Sequence, residues 1–373
     1  MSNFDKDIEE LVLRRERAIS GKLNCLPLPY PRLREVFPGV ERRRYTIVTA
    51  NQKVGKSKYT DKTYVYEPFF YALEHPDQLR VVILYFTLEM GKKEKFYEFL
   101  CHLLWRLDRV RISPTQLKST DSTKPVPQEI LDLINSEKYQ YYIKKFEEVV
   151  DFIDTKKNPT AIFKHCRDFA ESRGKWHFKQ GIKKNDDGTY QDGEVKDYFE
   201  PKDSEEYMIV VLDNYSNLSS ESGMNKMQTI DTMSKYAIDL RDKYNYCFVA
   251  IQHQAQAQEG IENRKMNILE PTPDGLADCK TTIRDANCGF GLFSPYKFGI
   301  KRWPEGELGY DITKFRNHIR FLRIMENRDG ESGYSTALYF DGATSDFIEL
   351  PPANDAQALE PFYKQIEKIN NKK

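Results

Sequence analysis

The feature that most constrains the fold is a set of four short apolar runs: Tyr45–Thr49, Val81–Phe86, Tyr207–Leu212 and Cys247–Ile251. Each is five or six residues long, rich in Val, Ile and aromatic residues, and continuous rather than alternating. A strand with one wet face alternates apolar and polar residues, whereas a strand covered on both faces stays apolar throughout. The runs therefore predict buried strands of a parallel sheet. Parallel neighbours need a crossover, and helical patterns lie between the runs. Over Lys92–Leu107 the residues Phe96, Phe99, Leu100, Leu103, Leu104 and Leu107 share one face. Over Met227–Leu240 the residues Ile230, Met233, Ala237 and Leu240 do the same. This alternation predicts an α/β chain: a mostly parallel central sheet flanked by helices and joined by right-handed crossovers.

After Ile283 the pattern changes. Arg320–Met325 and Ser335–Phe340 flank the turn-rich stretch Glu326–Gly333, and Asp341-Gly342 precedes Phe347–Leu350. These signals predict a C-terminal antiparallel extension of the sheet. Upstream, a helix is expected over Gln128–Ile153, followed by a polar excursion at about 177–206. The Asn185-Asp-Asp-Gly188 stretch within it lacks the ligand spacing of a calcium loop and reads as a solvated hairpin turn. The N-terminal segment reads as a charged amphipathic helix carrying Ile8, Leu11 and Leu13, and Pro27, Pro29 and Pro31 mark an extended connector. The expected division is residues 1–38 for helix and connector, 39–350 for the core, and 351–373 for a polar tail.

Composition narrows the class. With 373 residues, 39% hydrophobic and 13% aromatic, the chain can bury a sizeable core, which excludes wholesale disorder. No apolar run approaches the ~20 residues of a membrane helix, and Met1–Arg17 has no signal-peptide stretch. Six scattered cysteines without a CxxC pair argue against a disulfide framework or zinc ribbon and point to a reducing cytoplasm. The 57 basic and 57 acidic residues cancel, so bulk charge does not coat nucleic acid, although local positive sites remain open.

The strongest chemical signal follows the first run. Tyr45–Ala50 leads into Ala50-Asn51-Gln52-Lys53-Val54-Gly55-Lys56-Ser57, and a helical pattern follows. A strand, a tight loop and a helix N-terminus expose backbone N–H groups to an anion. In this arrangement the lysine reaches the β/γ phosphates of a nucleotide and the hydroxyl holds Mg²⁺. Ala50 stands where the strict pattern has glycine. Two further strand ends supply acids: Asp213 closes Tyr207–Leu212, and Glu89 lies just past Val81–Phe86. An ATPase needs one carboxylate on the metal side and another group to activate water, and carboxyl ends of parallel strands meet the ligand. Cys247–Ile251 runs into Gln252-His253-Gln254, polar groups suited to sensing a γ-phosphate.

The order of these segments resembles the RecA-like ATPase core of DnaB-type replicative DNA helicases. The resemblance is carried by the P-loop, FTLEMG at Phe86–Gly91, VVLDNYSNL at Val210–Leu218 and VAIQHQ at Val249–Gln254. It continues through Asp274–Phe293, through MENRDGESG at Met325–Gly333, and through FDG at Phe340–Gly342. The stretch Ile19–Val40 is similar to the family's lead-in from linker helix to core. The resemblance implies a RecA-like P-loop NTPase fold and an ATP hydrolase acting as a helicase. The ring, most simply a hexamer, would bind ATP and Mg²⁺ between subunits and translocate 5′→3′ on single-stranded DNA. Lys56 and Ser57 match the P-loop lysine and Mg²⁺ hydroxyl, Asp213 the Mg²⁺-side acid, and Glu89 the glutamate that activates water. Arg328 matches the arginine finger that reaches a neighbour's γ-phosphate, and Gln252 is assigned the role of sensor. Glu326 stands where the family carries a lysine, placing an anion beside the finger.

The family's two DNA loops correspond to Ser219–Met227 and Ala255–Pro273, where Lys226, Arg264 and Lys265 are the cations for DNA phosphates. The denser cluster Lys314, Arg316, Arg320, Arg323 and Arg328 is expected at the subunit interface. The family's primase-recruiting N-terminal domain has no counterpart, and the compact core suggests a phage-encoded protein working in a bacterial cytoplasm. Primase or a loader of the replisome are the implied protein partners, with no membrane. Alternative readings are a RecA-like recombination or repair ATPase, a packaging terminase, and a nucleotide-binding scaffold or loader with weakened catalysis.

Overall fold

A computed structural model describes residues 3–184, 188–266 and 268–371 of the chain. An N-terminal helix, α1 (Asn3–Ile19), precedes the core. The core opens with β1 (Arg44–Ala50), which runs through the P-loop into α2 (Lys56–Asp61), a π-helical turn and α3 (Glu67–Glu74). Next come β2 (Arg80–Thr87), α4 (Lys92–Asp108), α5 (Gln128–Asn135), α6 (Glu137–Val149), β3 (Val150–Ile153) and α7 (Pro159–Ser172). A long hairpin, β4 (Gly174–Lys184) and β5 (Tyr190–Pro201), interrupts the core before β6 (Glu206–Asp213), α8 (Lys226–Tyr244) and β7 (Cys247–His253). The chain closes with β8 (Cys288–Phe293), β9 (Ile319–Asn327), β10 (Ser335–Asp341), β11 (Asp346–Glu349) and α9 (Ala356–Asn371).

Nine strands form one sheet in the order β11-β10-β9-β8-β1-β7-β6-β2-β3. The six from β8 to β3 run parallel, and β9, β10 and β11 extend the sheet antiparallel. This is the mostly parallel α/β sheet with a C-terminal antiparallel extension that the sequence predicts. Successive strand residues face opposite sides. Val48, Val211 and Val249 pack with Tyr59, Phe69, Phe99 and Phe146 from α2, α3, α4 and α6. Ile47, Val210 and Ala250 pack with Ile162 of α7 and Ile230, Met233 and Ala237 of α8. Both faces are covered, which is why the runs read as continuous. Among the described residues no helix is long and apolar enough to cross a membrane.

Three stretches differ from expectation. The helix expected over Gln128–Ile153 breaks at Ser136, and its last four residues form β3, the edge strand beside β2. β8 lies beside β1 at the centre of the sheet, although Gly289 and Gly291 dilute its apolar signal. Each of those glycines meets a neighbour where a Cβ would stand: Ile283 Cδ1 at 2.4 Å for Gly289, and Pro271 Cβ at 2.9 Å for Gly291. The stretch read as a polar tail carries α9, whose Leu359, Ile366 and Ile369 are buried on one side; Leu359 and Ile366 join Phe321 and Tyr339 in a third core cluster. The polar excursion is an antiparallel hairpin whose root, Trp176 and Phe199, packs on Tyr244. Its predicted turn at Asn185-Asp-Asp lies outside the described residues.

Candidate functional site

The site is built where β1, β2, β6 and β7 end side by side. The ladder pairs Ala50 with His253 across to β7 and with Leu292 across to β8, so position 50 is still extended strand. An alanine adopts that backbone freely, which accounts for the missing glycine. Gly55 is different. Its φ of +104° turns the loop into α2, and a Cβ there would stand 3.1 Å from the Phe340 ring beneath it. Side chains rarely adopt this φ, so the turn needs glycine. The turn points the N-terminus of the long Lys56–Glu74 helical segment into the cavity, where free N–H groups and the helix dipole favour an anion.

Lys56 is buried, and burial lowers its pKa against the opposing pull of Asp213 and Glu89. Ser57 Oγ donates to Asp213 Oδ1 at 3.2 Å. A hydroxyl and a carboxylate at that separation fit a hard, oxygen-seeking cation such as Mg²⁺. Asn51 sits buried in the loop, and its amide nitrogen and oxygen find no partner among the described residues. Lys56 and Ser57 border a cavity of about 690 Å³ together with Glu89, Asn214 and His253.

Asn214 joins two of the strand ends. Its Nδ2 donates to Glu89 Oε2 at 2.6 Å and lies 3.2 Å from His253 Nε2. An amide nitrogen only donates, so Nε2 accepts and the imidazole proton sits on Nδ1. Nδ1 is buried without a partner among the described residues. Burial and nearby Lys56 push the His253 pKa down to about 4, so the ring is neutral. Its flanking glutamines do not share this position. Gln252 belongs with Phe248 and Ala250 on the opposite face of β7 from α2. Its Nε2 donates to Ala277 O and Cys279 O, each at 2.7 Å, and its Oε1 accepts from Thr282 Oγ1 at 2.6 Å. The assignment of Gln252 as sensor is therefore corrected: it is buried structural glue, and His253 faces the cavity. Gln254 Nε2 is held by Thr49 Oγ1 and Thr272 O, both at 3.1 Å. Strand parity, counted from Phe248, carried this distinction, but burial of both faces hides it in the sequence.

No protein-family profile matches the chain, and no curated protein matches it in sequence. Solved structures match it in fold. One is a solved ATPase domain, at a TM-score of 0.63 and 16% identity, covering 94% of this chain and 100% of that one. Another is a DnaB-like replicative helicase described with its interactions with primase, at a TM-score of 0.61 and 16% identity. That match covers 91% of this chain, which spans 66% of the helicase's length. The fold is the RecA-like ATPase fold of DnaB-like helicases. Lys56, Ser57, Asp213, Glu89 and His253 come together where β1, β2, β6 and β7 of this fold end.

Within this RecA-like frame the remaining residues fall into two groups. Arg328 and Glu326 are exposed, at the far end of β9. Asn327 pairs with Cys288, and Cys288 pairs with Thr46 near the start of β1, whereas the P-loop follows its end. Arg328 thus stands at the opposite end of the strands from its own P-loop, with its guanidinium donating to Arg284 O. Of the expected interface cluster, two members are occupied internally. Arg320 is 1% exposed, lies 4.4 Å over the Phe340 ring, and donates to the P-loop carbonyl of Val54 at 2.6 Å. Burial pushes its pKa down to about 9. Arg323 pairs with Glu270 at 2.8 Å. Arg320 is not free to meet a neighbour, which corrects that expectation for it, whereas Arg323 is partly exposed.

Of the expected DNA cations, Arg264 and Lys265 are exposed on the loop after β7. Arg264 lies over the Phe298 ring at 5.5 Å. Lys226 is partly buried, and its amine donates to Leu218 O at 2.7 Å, closing the loop before α8. Lys297 was not anticipated. Its amine donates to the P-loop carbonyl of Gln52 at 3.0 Å and pairs with Glu259 of the same loop that carries Arg264.

Proposed function

We propose that this chain is an ATP-driven DNA helicase of DnaB type, working as a ring, most simply a hexamer, on single-stranded DNA with 5′→3′ polarity. The observation that carries the proposal is the separation of Arg328 from its own P-loop, beside a site already equipped with Lys56, Ser57, Glu89 and Asp213. A finger at the wrong end of the strands for its own nucleotide is suited to serve the next subunit. In this reading Lys56 binds the β/γ phosphates, and Ser57 with Asp213 holds Mg²⁺. Bound Mg²⁺ supplies charge neutralisation to the phosphates. Glu89, oriented by Asn214, accepts the proton of the attacking water, and His253 offers its Nδ1–H to the γ-phosphate.

The exposed apolar residues of α1 support docking on a neighbouring copy. Ile8 is 60% and Leu11 67% exposed, while Arg17 anchors the helix end to Glu205 at 2.6 Å. Arg264 and Lys265 are the cations we assign to DNA, with Lys226 bracing its loop instead. Primase or a loader remain the implied partners, and a bacterial cytoplasm the implied compartment.

Steady-state ATP hydrolysis with and without single-stranded DNA, beside Lys56→Ala, tests the reading. Strong stimulation absent from Lys56→Ala is expected, followed by unwinding of a forked substrate. Glu89→Gln should lower turnover about 10²–10⁴-fold while ATP still binds. Little turnover in the wild type despite ATP binding would favour a nucleotide-binding scaffold and make Glu326→Lys the reverting change to try.

A further inference from the structure

Directly behind Asp213 lies a group of buried charges that the proposed reaction does not use. Lys95 of α4 is 1% exposed. Its amine lies 2.9 Å from Asp61 Oδ2, 3.4 Å from Asp213 Oδ2 and 3.7 Å from Glu98 Oε2. Tyr85 of β2 places its hydroxyl 2.8 Å from Asp61 Oδ1 and 3.1 Å from Asp213 Oδ2, sharing one hydrogen between them. Glu98 is held separately by Lys58 at 2.6 Å. Asp213 is therefore gripped from behind through Oδ2 and presents Oδ1 to Ser57.

Packing does not require these charges. Burying a lysine and an aspartate carries a large desolvation penalty, and apolar residues of similar volume fill such a space at equal or better stability. Asp61 and Lys95 lie on the inner faces of helices otherwise packed with Tyr59, Phe69, Phe99 and Leu103. What the pair supplies is direction. A carboxylate with both oxygens free rotates between orientations, whereas one with Oδ2 fixed by a buried ammonium and a phenol offers a single oxygen at a defined place. Groups that orient a metal-side ligand in this way set metal affinity without touching the metal.

We propose that Lys95, held in place by Asp61, is a positioning residue that fixes Asp213 for the metal of the nucleotide site. The proposal rests on the reading of Asp213 as the Mg²⁺-side acid. The test measures the Mg²⁺ concentration that half-saturates binding of a fluorescent ATP analogue, alongside melting temperature. Asp61→Asn with Lys95→Met removes one charge of each sign and preserves side-chain length, so the amide oxygen then at position 61 still accepts from Tyr85. This double variant is expected to need about tenfold more Mg²⁺ at a near-unchanged melting temperature. Wild-type Mg²⁺ dependence in the folded double variant overturns the proposal. Should that variant not fold, Lys95→Gln removes the ammonium alone and leaves a polar amide beside Asp61: a raised Mg²⁺ requirement supports the proposal, and an unchanged one overturns it. Asp213→Asn separates the two levels. If it too leaves Mg²⁺ dependence unchanged, the reading of Asp213 falls; if it alone raises the requirement, only the role of Lys95 falls.

Discussion

Asn214 can donate to both Glu89 and His253 only while His253 Nε2 keeps its lone pair, so the state of one ring bears on the orientation of Glu89, to which we assign water activation. Protonation of Nε2 would oppose Asn214 with a second donor and place a cation near Lys56. The sign of the pH effect follows. The folded pKa of His253 is depressed to about 4 from an ordinary 6.5. The unfolded chain binds the proton first as pH falls, so this group leaves stability unchanged above 6.5 and erodes it between 6.5 and 4. His102, depressed to about 3 by burial, adds a similar background. His253→Gln keeps a neutral hydrogen-bonding side chain and should lose less stability on acidification. Urea midpoints at about pH 7 and about pH 5 measure the difference. Equal losses in the two proteins would exclude His253 as a contributor.

At the scale of elements, the β4–β5 hairpin is paired chiefly with itself, and among the described residues its contacts with the body lie toward the root, where Trp176 and Phe199 pack on Tyr244 and Lys196 pairs with Glu171. Phe178 and Lys196 are cross-strand partners, close enough to be joined by a two-residue Asn-Gly turn. Excising residues 179–195 in this way should shift the melting temperature by no more than a few degrees and leave basal ATP hydrolysis intact. A collapse of either would show that the distal hairpin supports the core. The same element illustrates how far sequence reasoning reaches. A hairpin was legible from its polar, turn-rich centre, and β1, β2, β6 and β7 were legible because burial on both faces makes them uniformly apolar. β3 was not, because Val149-Val150 continues the helical spacing of α6 and only tertiary pairing with β2 converts it to strand. β8 was not, because close approach of Ile283 and Pro271 selects glycines that remove the apolar signal. In the site, Lys56, Ser57, Glu89 and Asp213 carried their chemistry in local spacing. Asn214, His253 and Lys95 depend on which face a strand or helix presents, and Lys95 could have been flagged four residues before Phe99 on the buried stripe of α4.

At the scale of the whole molecule, β9 connects two ends of the chemistry. Arg320 near its start holds the subunit's own P-loop through Val54 O, and Arg328 follows its last residue. Eight residues of strand separate them by roughly 26 Å. Under the proposed function, a subunit built this way would bind nucleotide at one end of its strands and present its arginine at the other, which is the asymmetry of a head-to-tail ring interface. The consequence is testable without a structure of the ring. Arg328→Ala should lower turnover about 10³-fold or more, because a finger supplies transition-state charge, while its own P-loop still binds ATP. Lys56→Ala should be inactive for the opposite reason, with its finger intact. Rings assembled from an equal co-expressed mixture contain interfaces in which an intact P-loop from one variant faces an intact finger from the other. Random assembly makes these roughly a quarter of all interfaces, so the mixture should recover up to about that fraction of wild-type hydrolysis from two inactive parents. A mixture no more active than its parents would mean that Arg328 does not act across the interface. Recovery in the mixture combined with loss in each parent requires that every working site draw its lysine and its arginine from different chains.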